Sequence, residues 1–109
     1  MPTSREMHDY ILECLRRAGN VSTRRMMGEY CVYCEGKLVG QMYEGSLYLK
    51  ETETTRSLLS GCPLEHPHGT KAAYYRADCF EDVQQMGEVL RGMIKELPEP
   101  GPKKGRGKK

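Results

Sequence analysis

Apolar side chains recur with two different periods along this chain. Near the N-terminus Met7, Tyr10, Ile11, Cys14, Leu15 and Ala18 are spaced three or four residues apart, which makes one stripe of an amphipathic helix. Thr3 and Glu6 have capping-box spacing, Arg16 and Arg17 stand where cations suit the helix dipole, and Gly19 supplies the stop. From residue 21 to residue 50 the period shortens to two. Val21 to Met26 reads as extended, and Tyr30 to Cys34 is short and rich in β-formers. Glu35-Gly36 breaks the run before Lys37 to Tyr43, and Glu44-Gly45 breaks it again before Ser46 to Lys50. Strands of this length joined by X-Gly pairs predict an antiparallel meander. In its last strand Leu47 and Leu49 share one face, with Tyr48 and Lys50 on the other. Gly28 reads as a bend or bulge.

Farther along, Thr52 to Ser60 predicts a short helix capped by Gly61, with Pro63 preventing its continuation. The Pro, His and Gly content of Cys62 to Thr70 predicts a loop, and Ala72 to Ala77, centred on Tyr74-Tyr75, a further strand. Asp78 with Glu81 opens a last helix whose apolar positions are Phe80, Val83, Met86, Leu90, Met93, Ile94 and Leu97, and Pro98 ends it. The order of elements predicts a two-layer α+β domain, an antiparallel sheet of four to five strands packed against three helices.

Composition sharpens this picture in two ways. The 109 residues fit one domain, yet Leu, Ile, Val and Phe together number only 18. Such a low level signals disorder only when net charge is high; here it is +2, and seven Met and seven Tyr add apolar bodies. Disorder throughout is therefore not expected. The charge is also unevenly placed. The stretch from Pro98, PEPGPKKGRGKK, holds five of the 17 basic residues and one of the 15 acidic ones, leaving 12 basic against 14 acidic in 1–97. The expected organisation is a slightly acidic domain, 1–97, and a basic disordered tail, 98–109, with no apolar side chain to offset its ordering entropy. Lys103, Lys104, Arg106, Lys108 and Lys109 form a polycation that either attracts nucleic acid by counterion release or only solubilises the chain. With no aromatic residue there, any attraction is non-specific. No apolar run reaches membrane-spanning length, and Met1 to Glu6 lack the layout of a signal peptide. The expectation is a cytoplasmic protein that makes no membrane contact.

The stretch Thr23-Arg24-Arg25-Met26-Met27-Gly28-Glu29-Tyr30-Cys31-Val32-Tyr33-Cys34-Glu35-Gly36-Lys37 resembles the signature of the TfoX/Sxy N-terminal domain family. In that family an Arg-Lys-Met-Phe-Gly-type segment precedes a Tyr-containing strand and an Asp-Gly-Lys-type turn. Leu47-Tyr48-Leu49-Lys50 is similar to the family's Leu-Tyr-Leu-Lys strand, Gly61-Cys62-Pro63 to its Gly-x-Pro loop, and Tyr74-Tyr75 to its paired-Tyr strand. Met27 stands where the family commonly has Phe, so the position stays apolar. The resemblance runs from Ser4 to Leu97. It implies a secretion-chaperone-like two-layer fold and kinship with bacterial regulators of natural competence. Longer members carry a second, C-terminal domain, so the expectation here is a stand-alone N-terminal domain, either the partner-binding half or a domain with another role. The family brings no agreed catalytic residues.

The residues that could carry chemistry have plainer readings beside them. Cys31 and Cys34 have C-x-x-C spacing, and Cys62, His66, His68 and Cys79 complete a zinc site on paper. Val32 and Tyr33 between the first pair favour a strand, where positions i and i+3 face opposite ways. No helix N-terminus follows Cys31 to activate it as a redox thiol. The expectation is five reduced cysteines, no metal and no cofactor. His66-Pro67-His68 reads as a surface loop pair. Ser4, Ser22, Ser46, Ser57 and Ser60 have no nucleophile-elbow context, and no phosphate-cradling glycine motif occurs. Arg24 and Arg25 in an extended segment point to opposite faces. Either one meets a partner's carboxylate or phosphate, or they form a solvated edge with an Arg–Glu bridge to Glu29 or to a helix.

These readings converge on a non-enzymatic regulatory or adaptor domain with an unidentified protein partner in transcription or competence regulation. A direct nucleic-acid binder using the tail with Arg24 and Arg25 is the alternative, and a zinc- or thiol-dependent enzyme is the third reading. A homodimer would cover the sheet edges that so small a domain exposes.

Overall fold

A computed structural model describes residues 2–69 and 71–97. The element order is α1 (Arg5–Arg16), β1 (Val21–Met26), β2 (Glu29–Cys34), β3 (Lys37–Tyr43), β4 (Ser46–Lys50), α2 (Glu53–Leu58), β5 (Leu64–Glu65), β6 (Tyr74–Arg76) and α3 (Val83–Glu96). All strand pairs are antiparallel, in the order β1-β2-β3-β4-β6-β5. The class is α+β, as the pattern predicts. The sixth strand is the two-residue β5, inside the stretch expected to be a loop. Pairs as short as Leu64↔Tyr75 and Glu65↔Tyr74 leave no periodic signal to read.

Three tight hairpins build the meander. Each has two central residues with positive φ: Met27 and Gly28 at 53° and 84°, Glu35 and Gly36 at 53° and 79°, Glu44 and Gly45 at 49° and 82°. Positive φ at both positions twists in the sense of the flanking strands, which is why such turns join hairpins. Gly28 is thus a turn residue like the other two, not a bulge. The bulge lies instead on β3. Val32 opposes Gly40 and Tyr33 opposes Leu38, so Val39 is the extra residue.

One face of the sheet carries the core. Val32, Val39, Met42, Leu47 and Leu49 are almost fully buried there, and Ile11, Leu15, Met86, Val89, Leu90 and Met93 meet them from α1 and α3. Helix α2 packs on α3. The helix starts differ from the predicted caps. Ser4, not Thr3, caps α1, accepting the Met7 N–H at 3.1 Å. Asp82, not Asp78, caps α3 by accepting the Gln85 N–H at 3.1 Å, so 78–81 are turn and Phe80 reaches the core from outside the helix. Capping spacing alone does not separate two candidates a few residues apart. Helix α2 ends at Leu58 with Leu59 rather than Gly61 as its C-cap, and α1 ends at Arg16 with Arg17 rather than Gly19 as its cap. Pro98 and the tail residues Lys103, Lys104, Arg106, Lys108 and Lys109 lie outside the described residues.

At Gly40 the backbones of β3 and β4 approach so closely that a Cβ would collide with the Tyr48 carbonyl oxygen. A Cβ at Gly61 would meet open space. Gly40→Ala is expected to cost about 3 kcal/mol, the upper range for overpacking, because the obstacle is backbone. Gly61→Ala should stay within about 0.5 kcal/mol of wild type. Urea unfolding of the two variants checks both values.

Candidate functional site

The β1–β2 hairpin is held by polar groups that reach it from three other elements. Glu29, the first residue of β2, is buried, and its carboxylate points back under the chain. It accepts the Thr3 N–H at 3.2 Å on each oxygen and the Glu44 N–H at 2.9 Å. Thr3 in turn accepts the Gly45 N–H on its hydroxyl at 3.0 Å. The N-terminal segment, the tip end of the first hairpin and the β3–β4 turn are thus joined at one carboxylate. His8 adds a second tie. Its Nε2 lies 2.8 Å from the Thr23 hydroxyl on β1, its Nδ1 lies 2.8 Å from Asp9, and its ring stacks on Tyr30 at 4.0 Å. His8 is buried, although the helical stripe read from the sequence leaves it out. The Asp9 and Thr23 contacts explain how an imidazole is accommodated there.

With Glu29 committed to backbone donors, the bridge expected between it and Arg24 or Arg25 does not form. Both arginines are exposed, and among the described residues neither side chain has an ion pair or hydrogen bond. Strand alternation sends Arg24, with Ser22 and Met26, to the face away from the helices, and Arg25, with Val21 and Thr23, to the helix side. At the tip Met26 is 47% exposed and Met27 96% exposed. Met27 holds a left-handed backbone that costs a side-chain-bearing residue about 1 kcal/mol. Two clefts flank the hairpin. One of about 370 Å³ is lined by Ser22, Thr23, Arg24, Tyr33 and Gly36, and a mostly apolar one of about 330 Å³ by Met26, Met27, Glu29, Tyr30 and Cys31.

Most other positions of the signature are absorbed by the fold. Gly28 and Gly36 serve the turns. Lys37 donates its ammonium to the carbonyls of Ile94 at 2.5 Å and Leu97 at 3.2 Å, closing the C-terminal end of α3 where a cation is favoured. Tyr30 and Tyr75 are buried in the core. Tyr48 donates its hydroxyl to Glu65 at 2.9 Å, and Arg76 reaches Glu65 at 3.0 Å and Asp78 at 3.2 Å, so β4, β5 and β6 are pinned together. Burial, reinforced by Glu65, pushes the Tyr48 phenol up to about 12. Lys50 and Tyr74 are half-buried opposite each other on the outer face. What the fold leaves over from the signature is Arg24, Arg25 and Met26, with Met27 beside them.

Among the described residues the cysteines and histidines do not assemble a centre. Cys34 is buried in the core and Cys31 half-buried on the outer face, split by strand alternation. Burial is also the main cause raising the Cys34 thiol. Cys62 and Cys79 hydrogen-bond to each other, and burial together with Cys62 pushes the Cys79 thiol up to about 11. All five thiols are free, and among the described residues no three His, Cys, Asp or Glu side chains converge. His66 is exposed beside the turn at Pro67–Gly69, and the side chain of His68 lies outside the described residues. Ser4 is occupied as a helix cap.

The TfoX N-terminal domain matches residues 13–96, and the chain belongs to that family. A relative of similar size is the uncharacterised 12.7 kDa protein in the trpE 5′ region of Spirochaeta aurantia. It is 32% identical over 89 residues, which cover 81% of this chain and 77% of the relative. Family membership supports a regulatory domain in general terms.

Two outcomes test this geometry. Glu29→Ala leaves buried N–H groups without their charged acceptor and should cost about 2–3 kcal/mol in urea unfolding, with faster amide exchange at Thr3 and Glu44. The Tyr48 phenol is raised from an unfolded value of about 10. Its contribution is therefore fully present below that pH and is lost as pH rises through about 12. Tyr48→Phe should flatten the alkaline fall in stability between those limits, measured by thermal unfolding across the pH series.

Proposed function

We propose that the chain is a non-catalytic regulatory or adaptor domain of the TfoX/Sxy type that acts by binding a protein partner in transcription or competence regulation. Family membership supports the regulatory part of this reading. The observation that carries the binding part is the division of labour within the signature. Its glycines, Glu29, Tyr30 and Lys37 are spent on turns and anchoring, while Arg24, Arg25, Met26 and Met27 project from a braced hairpin without a described partner. Exposed Arg and Met, the latter beside a mostly apolar cleft, are residue types that interfaces favour. Work in a reducing cytoplasm agrees with five free thiols.

Affinity capture from nuclease-treated extract of the source cell tests the reading. The wild-type chain should recover a specific protein, and R24E/R25E, whose substitutions disturb no described contact, should lose it while its melting temperature stays within a few degrees. Recovery that disappears on nuclease treatment alone would transfer the role to nucleic-acid binding.

A further inference from the structure

The two ends of the sheet are built differently. At one end β5 is two residues long and flanked by Pro63 and Pro67, which have no N–H to offer. At the other end β1 is a six-residue strand with a neighbour on one side only. The phase of its hydrogen bonds can be fixed. The Glu35 N–H donates to the Asn20 carbonyl at 3.0 Å, and the β1–β2 register pairs Val21 with Cys34. Asn20, Ser22, Arg24 and Met26 are therefore the residues bonded inward to β2, while Val21, Thr23 and Arg25 direct their N–H and C=O groups outward. The outward carbonyl of Val21 is taken by the Arg16 guanidinium at 3.1 Å. Thr23 and Arg25 carry the open part of the edge.

We infer that β1 is a docking edge for an extended acidic segment of the protein partner, which adds to the sheet as one further strand. The inference rests on the partner-binding reading above and names its chemistry. A strand laid against β1 would bond to the outward groups of Thr23 and Arg25 and would pass Arg24 on one face and Arg25 on the other. Two adjacent acidic residues in it would meet both guanidiniums. An apolar residue further along would reach the cleft of about 330 Å³ beside Met26 and Met27. A second copy of this chain fits less well, because edge-to-edge pairing gathers four arginines with no acid among them. Nucleic acid also fits less well. The domain carries 14 acidic against 12 basic residues in 1–97, and the apolar side chains at the hairpin tip are methionines, which offer no plane for base stacking.

Amide exchange followed by NMR on the full chain tests this, with short synthetic peptides as probes. One probe has alternating Thr and Val around a central Asp-Glu pair, the second has Lys-Lys in its place, and the third is oligo-dT. The acidic peptide is expected to slow exchange at Thr23 and Arg25 by about tenfold or more at saturation, with little change at Ser22 and Arg24. The R24E/R25E variant should weaken acidic-peptide binding about tenfold and gain affinity for the Lys-Lys peptide. The inference is overturned by equal responses to the two peptides, by protection that requires oligo-dT, or by concentration-dependent protection with no peptide present, which would mark a homodimer. If the peptides leave Thr23 and Arg25 unprotected while R24E/R25E still abolishes partner capture, strand addition falls and the partner-binding reading stands.

Discussion

One carboxylate sets the arrangement of this domain. Glu29 sits at the start of β2 with its oxygens turned inward, and it gathers backbone donors from the N-terminal segment and from the β3–β4 turn. A buried carboxylate is tolerable only when its lone pairs are filled, and here N–H groups fill them without a basic side chain. Because those donors belong to segments far apart in sequence, a single side chain aligns α1, the first hairpin and the β3–β4 turn. His8 completes the alignment by keying α1 to Thr23 and Tyr30. In such an arrangement the hairpin is braced at Glu29 and Thr23 while Arg24, Arg25, Met26 and Met27 stay exposed.

The arginines follow from that constraint. In a small sheet the simplest fate for Arg24 or Arg25 is an ion pair with the nearest acid. The nearest acid in sequence is Glu29, and the fold has already used it. The same logic applies to Lys37, which closes the end of α3. Charged positions that look equivalent in the sequence motif therefore divide into those that hold the fold together and those that face outward. Only the tertiary structure shows which is which.

The sequence was legible where its signals are local and periodic. The α1 stripe, the four strands of the meander and the run of α3 all follow from spacing, and the Glu-Gly turns follow from the need for positive φ. Met27-Gly28 was harder to read as the same turn, because methionine is a poor left-handed residue and gives no turn signal. The two-residue β5 has no period at all and exists only because β6 offers it a partner. The site was legible as a motif but not as a surface. That Arg24, Arg25 and Met26 lie in a family signature is visible in the letters. That Glu29 turns away from the arginines depends on donors at Thr3 and Glu44, which no short-range rule connects to it.

The unequal ends of the sheet have a consequence for assembly. A sheet with two open edges can extend from both sides, and repeated addition leads to filaments. Here β5 and its flanking prolines close one side, so the sheet can grow in one direction only. A chain with a single receptive edge behaves as a terminator rather than a link. If β1 receives a partner strand as proposed, one strand fills it, which would set the stoichiometry of that exchange at one to one and keep the encounter from becoming a polymer.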